Sequence, residues 1–234
     1  MLDLIAFDAD DTLWHTEHLY SDAEARFAEL LAPYGVTEPV EQKLFATESA
    51  NLRYFGFGIK SFTLSMIETA ISLTGGAIAG RDVQRVIDLA KGMLSADVQL
   101  LDHAEEAVAQ LSREFPLMII TKGDLLDQES KIERSGLGQY FKYVEIVSDK
   151  TRDSYAALLA RHNLRPEGFL MVGNSLRSDV LPVLALGARA VHIPYRLTWA
   201  HERVSPEELA GAQYAELEHL GQLAELAKRM KDEG

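Results

Sequence analysis

The sequence contains no cysteine, which excludes disulfide bonds, thiolate nucleophiles and zinc sites built on cysteine. Positive charge is also scarce, since 23 Lys and Arg residues stand against 36 Asp and Glu residues, for a formal net charge of -13. This charge repels phosphate backbones and anionic membrane surfaces, so we expect neither nucleic acid nor a membrane as a partner. A small anion would need a local positive pocket or a bound cation.

Long apolar runs are missing as well. No stretch approaches the roughly 20 apolar residues of a membrane span, and the opening segment MLDLIAFDAD turns acidic too early for a secretion signal. We therefore expect a cytoplasmic protein. The hydrophobic fraction of 47% and the charged fraction of 25% are typical of a folded chain. A length of 234 residues allows one core domain with a sizeable insertion.

Short runs rich in Ile, Val, Leu and Met alternate with segments of helical periodicity. This alternation predicts buried parallel strands in an α/β domain. The runs lie at residues 2–7, 115–121, 143–147, 168–173 and 188–193. The last stretch of the chain is expected to add a short strand followed by a surface helix.

A segment of different character separates the first two runs. It contains four amphipathic helical patterns, broken by glycine-containing joints, at residues 17–32, 40–53, 60–74 and 81–94. A crossover between parallel strands normally needs a single helix, so four helices predict an inserted all-helical module. We expect the core domain to comprise residues 1–15 and 95–234, and the helical module to comprise residues 16–94.

Three carboxylates, Asp8, Asp10 and Asp11, directly follow the first run. Ligands of open parallel sheets collect at the carboxyl ends of strands, so these acids lie where a site is expected. Three acids within four residues repel one another unless a cation relieves them, which favours a bound divalent metal. The alternative is a solvated acidic turn or a helix N-cap. For Asp11 we expect a role in starting the next segment rather than in chemistry.

The second and third runs also end in polar groups. The hydroxyl of Thr121, with the backbone N–H groups of Lys122 and Gly123, could hold a phosphoryl oxygen, although a threonine here could simply cap the next helix. Lys150 follows the third run, where its charge could neutralise a phosphate or lie exposed in a loop. Neither feature is specific when taken alone.

The fourth run leads into MVGNSLRSDV, residues 171–180. Asn174 and Asp179 in this segment offer oxygen ligands that would complete an octahedral Mg²⁺ site with Asp8. Four successive strands therefore each end in a group that phosphoryl transfer needs: a nucleophile with an acid, a hydroxyl, a cation and a metal ligand.

In these four motifs the sequence resembles the haloacid dehalogenase superfamily, whose members are mostly phosphatases. DADDT matches the Asp-x-Asp-x-Thr signature, Thr121 and Lys150 match the second and third motifs, and GNSLRSD matches the fourth. The resemblance covers the whole chain. It implies a Rossmann-like, doubly wound parallel sheet, and it makes the helical module the family's α-helical cap.

The resemblance also implies an activity, that of a Mg²⁺-dependent phosphatase acting on a small phosphorylated metabolite. Asp8 would be the nucleophile that forms an aspartyl-phosphate, and Asp10 would be the general acid and then the base. Thr121 and Lys150 would hold the phosphoryl group. The Mg²⁺ ligands would be Asp8, the backbone carbonyl of Asp10, Asn174 and Asp179.

Two positions depart from the family pattern. Asn174 stands where many members carry an acid, so it brings an amide oxygen without a charge. Thr151 stands where a proline often follows the lysine of the third motif. Both departures bear on how the metal and Lys150 are held.

Other functions remain open at this point. A haloacid dehalogenase has no need of an acid at position 10, so Asp10 argues against that branch. A phosphosugar mutase would use the same residues with a sugar as acceptor, and a non-catalytic phosphate-binding protein is a further alternative. A signalling receiver domain combines similar residues, but it is about half this length and needs no cap.

Substrate choice is assigned to the helical module, in the segment NLRYFGFGIKSF. Arg53 and Lys60 could bind a second anionic group of the substrate. The rings of Tyr54, Phe55 and Phe57 either stack on a substrate ring or form the module's own core, and we expect the second.

Overall fold

The computed structural model describes residues 2–232. Its α/β core is one fully parallel sheet whose strands are β1 (Leu4–Phe7), β2 (Leu117–Lys122), β3 (Tyr143–Val147), β4 (Phe169–Gly173), β5 (Arg189–His192) and β6 (Ala215–Glu216). Their order across the sheet is β3-β2-β1-β4-β5-β6. This order confirms the predicted α/β fold of Rossmann-like type, and the five predicted apolar runs lie within two residues of observed strands.

Helices join the strands and fill the long insertion between β1 and β2. They are α1 (Glu17–Leu31), α2 (Val40–Phe55), α3 (Ile59–Leu73), α4 (Gly80–Ser95), α5 (Ala104–Leu111), α6 (Leu125–Ser135), α7 (Arg152–Arg161), α8 (Leu181–Leu184) and α9 (Leu223–Asp232). A π-helical turn, Leu176–Val180, leads into α8. The four predicted helices of the insertion are therefore present as α1 to α4.

The four central strands, β1, β2, β4 and β5, are buried on both faces of the sheet, and successive residues of each strand point to opposite faces. On one face Ile5, Ile119 and Val172 pack with residues of α5, α6 and α9. On the other face Leu4, Ile120 and Met171 pack with residues of α7 and α8. Two cores of this kind explain why the strand sequences are continuous apolar runs rather than alternating patterns.

The chain divides into two compact units. The first extends to Glu17 and continues with Val98–Lys122 and from Gln128 onward, and it contains the sheet. The second comprises His18–Asp97 and Gly123–Asp127. Its own core lies between helices and includes Phe27, Phe62 and Met66.

The observed division differs from the predicted helical module, residues 16–94, by two residues at its start and three at its end, and also at residues 123–127, which the sequence prediction assigned to the core domain. These residues group with the second unit because Asp124 contacts the joint between α2 and α3. Its Oδ2 accepts the Lys60 backbone N–H at 3.3 Å, and a Cβ atom on Gly58 would lie 3.0 Å from the Asp124 backbone nitrogen. Within residues 2–232, no helix is both long and apolar enough to cross a membrane.

Candidate active site

Asp8 directly follows β1 and is nearly buried at the carboxyl end of the sheet. Its backbone N–H donates to the Val172 carbonyl at 2.9 Å, which extends the pairing of β1 with β4. One carboxylate oxygen accepts from Lys150 Nζ and the other from Thr12 Oγ1, at 3.0 Å. Burial raises the pKa of Asp8 to about 7, although the charge of Lys150 acts to lower it. The ionisation of Asp8 at neutral pH therefore depends on its cationic neighbour.

Lys150 is the buried cation of this group. Its ammonium bonds Asp8 and also Asp179 Oδ1, the latter at 2.8 Å, and only 2% of its side chain is exposed. Burial acts to lower the pKa of Lys150, but the two carboxylates outweigh burial and hold the pKa above its usual value. The alternative of an exposed loop lysine is thus wrong. Thr151, at the position where a proline often stands, caps α7 by accepting the backbone N–H of Ser154 at 3.2 Å.

The turn after β4 brings Asn174 and Asp179 close to Asp8. Asp179 Oδ2 accepts the Ser175 backbone N–H at 3.0 Å, and a Cβ atom on residue 173 would lie 2.2 Å from this oxygen, so glycine is required there. Thr12 Oγ1, which bonds Asp8, lies 3.3 Å from Asn174 Oδ1 and accepts the Asn174 backbone N–H at 3.0 Å. Four oxygen-bearing side chains therefore converge from the segments that follow two neighbouring strands, those of Asp8, Thr12, Asn174 and Asp179.

The end of β2 contributes a buried hydroxyl and a paired lysine. Thr121 is 1% exposed. Lys122 is the last residue of β2, and its ammonium donates to Ser178 Oγ at 3.0 Å and pairs with the carboxylate of Glu202. Gly123 has a φ of 138°, which side-chain-bearing residues rarely adopt. The charge of Lys122 is therefore balanced within the protein.

Glu202, from the segment between β5 and β6, is a site residue that the sequence prediction missed. Its carboxylate accepts from Lys122, Ser175 and Ser178, with the Ser178 contact at 2.7 Å. Burial acts to raise the pKa of Glu202, but the charge of Lys122 and these hydrogen bonds outweigh burial and lower the pKa. The segment around Glu202 carries no motif and lies far along the chain from β2, so only the folded structure reveals this contact.

Asp10 accepts hydrogen bonds at both carboxylate oxygens from four side chains. Oδ1 accepts from Trp14 Nε1 at 2.8 Å, Thr16 Oγ1 at 2.7 Å and Lys131 Nζ at 2.7 Å. Oδ2 accepts from Gln128 Nε2 at 2.8 Å and Lys131 Nζ at 2.9 Å. Burial acts to raise the pKa of Asp10, but Lys131 and the hydrogen bonds outweigh it and lower the pKa to about 2. In this arrangement Asp10 is a carboxylate.

Lys131 and Gln128 were also missed, although the sequence held a signal for them. They lie three residues apart on α6, the first helix after β2, and residues at this spacing share one helix face. Asp11, by contrast, has the predicted structural role. It accepts the backbone N–H groups of Thr16, at 2.8 Å, and Glu17, at 3.0 Å, where α1 begins.

The two predicted substrate contacts of the helical module lie in the second unit. Arg53, near the end of α2, stacks on the Tyr54 ring at 4.6 Å, and Lys60, in the first turn of α3, pairs with Asp124 at 3.5 Å. Tyr54 is 67% exposed and Phe55 is 51% exposed. The expectation that these two rings form the module's core is therefore wrong, because α2 packs through Leu44 and its other buried residues.

Comparison with known proteins agrees with this arrangement of strands. The family model of the haloacid dehalogenase-like hydrolases matches residues 2–187. The chain belongs to this family. A haloacid dehalogenase-like hydrolase from Xanthomonas campestris is 39% identical, with a TM-score of 0.88 over 99% of this chain and 93% of its own. The protein is therefore a hydrolase of the haloacid dehalogenase-like type.

Two further relatives of this hydrolase differ in the reactions that their names give. N-acylneuraminate-9-phosphatase from Mus musculus is 27% identical over 129 residues, which are 53% of this chain and 52% of the mouse protein. The chain thus aligns with about half the length of this curated relative. A 2-haloacid dehalogenase from Pseudomonas syringae is 24% identical, with a TM-score of 0.65 over 98% of this chain and 99% of its own. At that identity the likeness concerns the fold alone.

Proposed function

We propose that this hydrolase is a Mg²⁺-dependent phosphatase that cleaves a small phosphomonoester through an aspartyl-phosphate on Asp8. The observation that supports the proposal most directly is the contact of Lys150 with both Asp8 and Asp179. The nucleophile and the phosphoryl group both carry negative charge, so attack requires a fixed cation beside the attacking carboxylate. The partial similarity to N-acylneuraminate-9-phosphatase supports the same chemistry.

The proposed reaction has two steps. In the first, an Asp8 oxygen bonds to phosphorus, the ester P–O bond breaks, and the leaving oxygen takes a proton from the Asp10 carboxyl group. In the second, a water oxygen bonds to phosphorus, the bond to Asp8 breaks, and Asp10 takes the proton from water. The ionised Asp10 described above is the form that accepts the proton in the second step, and the protonated Asp10 that results is the form that donates to the leaving oxygen in the next turnover. Thr121, Lys150 and the backbone N–H groups of Lys122 and Gly123 are proposed to hold the phosphoryl oxygens.

The residues present fit a magnesium ion by their chemistry. No group of three His, Cys, Asp or Glu side chains suited to a metal occurs within residues 2–232. Mg²⁺ does not need one, since it prefers one or two carboxylates completed by waters and substrate oxygens. We propose Asp8, Asp179, the Asn174 amide oxygen and the Asp10 backbone carbonyl as ligands. Bound there, the ion would neutralise charge on the transferring phosphoryl group.

We also propose that the second unit acts as the cap that selects the substrate. Arg53 and Lys60 give it two exposed cations, and Tyr54 and Phe55 give it two exposed rings. Cations of this kind would favour a phosphate ester with a second anionic group, such as an acidic sugar phosphate. The predicted cap comprised residues 16–94, and Asp124, which pairs with Lys60, belongs to the same unit.

A phosphate-release assay on a panel of sugar phosphates, nucleotides and p-nitrophenyl phosphate, with Mg²⁺, tests the proposal. We expect steady turnover on at least one ester, its loss in Asp8→Asn, and full activity in Asp153→Asn, which alters an acid that is 92% exposed. No phosphate release from any ester would refute the phosphatase assignment. An active Asp8→Asn variant would show that the nucleophile is wrong.

The same preparation separates the other candidate functions. A haloacid dehalogenase would release chloride from 2-chloropropionate without Mg²⁺, and we expect no chloride release. A mutase would produce an isomeric sugar phosphate instead of free phosphate. A receiver or a non-catalytic binder would take up phosphate at most once and would show no steady turnover.

A further inference from the structure

The carboxylate of Asp10 is held more extensively than proton transfer alone explains. Lys131 Nζ contacts both oxygens, at 2.7 and 2.9 Å, and Gln128 Nε2 contacts Oδ2 at 2.8 Å. Both side chains come from α6, which follows β2, and they reach a residue that follows β1. Trp14 and Thr16 bond only Oδ1 and belong to the same loop as Asp10. The orientation of the carboxylate relative to the sheet is therefore set from α6.

Gln128 is oriented by its surroundings so that it can only donate to Asp10. Its amide nitrogen donates to Asp10 and, at 2.9 Å, to the Lys122 backbone carbonyl. Because both neighbours are acceptors, this end of the amide must be the nitrogen. The other end, Oε1, is buried without a hydrogen-bond partner among the residues that the structure describes. A buried acceptor without a partner costs stability, so packing alone does not account for a glutamine at this position.

Lys131 and Gln128 fix the orientation of the Asp10 carboxylate but leave it partly accessible to solvent. Gln128 is 2% exposed and Lys131 is 9% exposed, whereas a quarter (25%) of the Asp10 side chain remains exposed. Two buried side chains thus orient one partly accessible carboxyl group. We propose that Lys131 and Gln128 are positioning residues that hold the Asp10 carboxyl group where it exchanges a proton with the leaving oxygen and with water. This inference rests on the proposed phosphatase function and adds two residues to it.

The leaving group of the substrate tests this role. An alkyl phosphate needs a proton on its leaving oxygen, whereas p-nitrophenolate leaves without one, so only the alkyl ester depends on the position of Asp10 in the first step. The ratio kcat/KM covers the steps up to transfer of the phosphoryl group to Asp8. For Lys131→Met we expect kcat/KM to fall by about tenfold or more on an alkyl phosphate and by less than about threefold on p-nitrophenyl phosphate, since misplacing a catalytic group by ~1 Å can cost ~100-fold.

Two further variants and one control variant keep the test decisive. Lys131→Arg retains a cation that can contact both carboxylate oxygens, so it should recover part of the loss on the alkyl ester. Gln128→Met removes the second donor at similar volume and should also lower kcat/KM more on the alkyl ester than on p-nitrophenyl phosphate, although to a smaller extent. This variant tests the proposal even if Lys131→Met does not fold. The control variant Lys142→Met, which removes an exposed lysine before β3, should leave kcat/KM unchanged on both esters.

Losses of equal size on the two esters, or an unaltered ratio on the alkyl ester, would overturn the positioning role, because a merely structural defect does not distinguish leaving groups. A wild-type protein that releases phosphate from no ester of the panel would overturn the phosphatase proposal and the positioning role together. An active wild-type enzyme with equal losses in the variants would overturn the positioning role alone.

Discussion

Replacement of Lys150 by methionine should destabilise the protein strongly. Lys150 contacts Asp8 and Asp179, whose side chains are only 10% and 1% exposed, so its removal leaves two buried carboxylates without their shared cation. Breaking a buried ion pair by removal of one partner costs about 3–5 kcal/mol. For a protein of this size each kcal/mol lowers Tm by roughly 2–4 °C, so we expect a decrease of roughly 6–20 °C.

Thermal unfolding followed by circular dichroism measures this loss. Burial already raises the pKa of Asp8 to about 7, so the folded state binds more protons than the unfolded state at mildly acidic pH. The contribution of Asp8 to stability is therefore full below its ordinary pKa and is lost as the pH rises toward 7. Without Lys150 the pKa values of both carboxylates rise further, so Lys150→Met should be more destabilised at about pH 8 than at about pH 5.

Two comparisons show whether the buried charges cause the loss. Lys150→Met combined with Asp179→Asn removes one of the two buried carboxylates that have lost their cation, and it should recover part of the decrease in Tm. Lys142→Met, on the exposed surface, should change stability by no more than about 0.5 kcal/mol. A Tm for Lys150→Met within about 2 °C of wild type, less than one kcal/mol at this size, would refute the reasoning.

Three further outcomes are expected. The pKa of Asp10 is lowered from 3.8 to about 2, so Asp10 stabilises the fold above about pH 4. About 2 kcal/mol of that stability is lost as the pH falls toward 2. Measurement of the unfolding free energy against pH should show this loss in wild type and not in Asp10→Asn. Burial raises the pKa of Glu48 from 4.5 to about 8, so the contribution of Glu48 to stability is full at acidic pH and is lost as the pH rises to about 8. Glu48→Gln should therefore raise Tm more at alkaline than at acidic pH. An equal change in Tm at both pH values would contradict this. Gly173→Ala should displace the Asp179 carboxylate, which lies 2.2 Å from the added Cβ, and abolish phosphate release; an active variant would show that the placement of Asp179 is unimportant.

Much of the fold follows from local sequence patterns. An apolar run such as residues 168–173 is too short for a buried helix and is bounded by glycines, so it predicts a strand whatever its neighbours are. The helices of the insertion are equally local, because each carries its own apolar face, as α3 does with Phe62 and Met66. These elements were predictable because their signals repeat within a few residues.

Part of the site was predictable for a geometric reason. Parallel strands present their carboxyl ends at one edge of the sheet, so the polar residues after β1, β3 and β4 had to approach one another once the strands were recognised. This is how Asp8, Lys150 and Asp179 could be grouped from the sequence. The sequence could not decide whether Lys150 was buried, because its long side chain allows either position and its contacts depend on the order of the strands.

The sequence by itself determined the strands, the helices, the family and the strand ends that carry the candidate site. Only the tertiary structure decided that Lys131 and Gln128 hold Asp10, that Glu202 pairs with Lys122, and that Tyr54 is exposed. The partners in these contacts are separated by up to 121 residues along the chain, and a pattern within one element does not specify which side chain of a distant element it meets. The sequence shows which side chains can carry a charge, whereas the packing of distant elements determines which partner balances that charge.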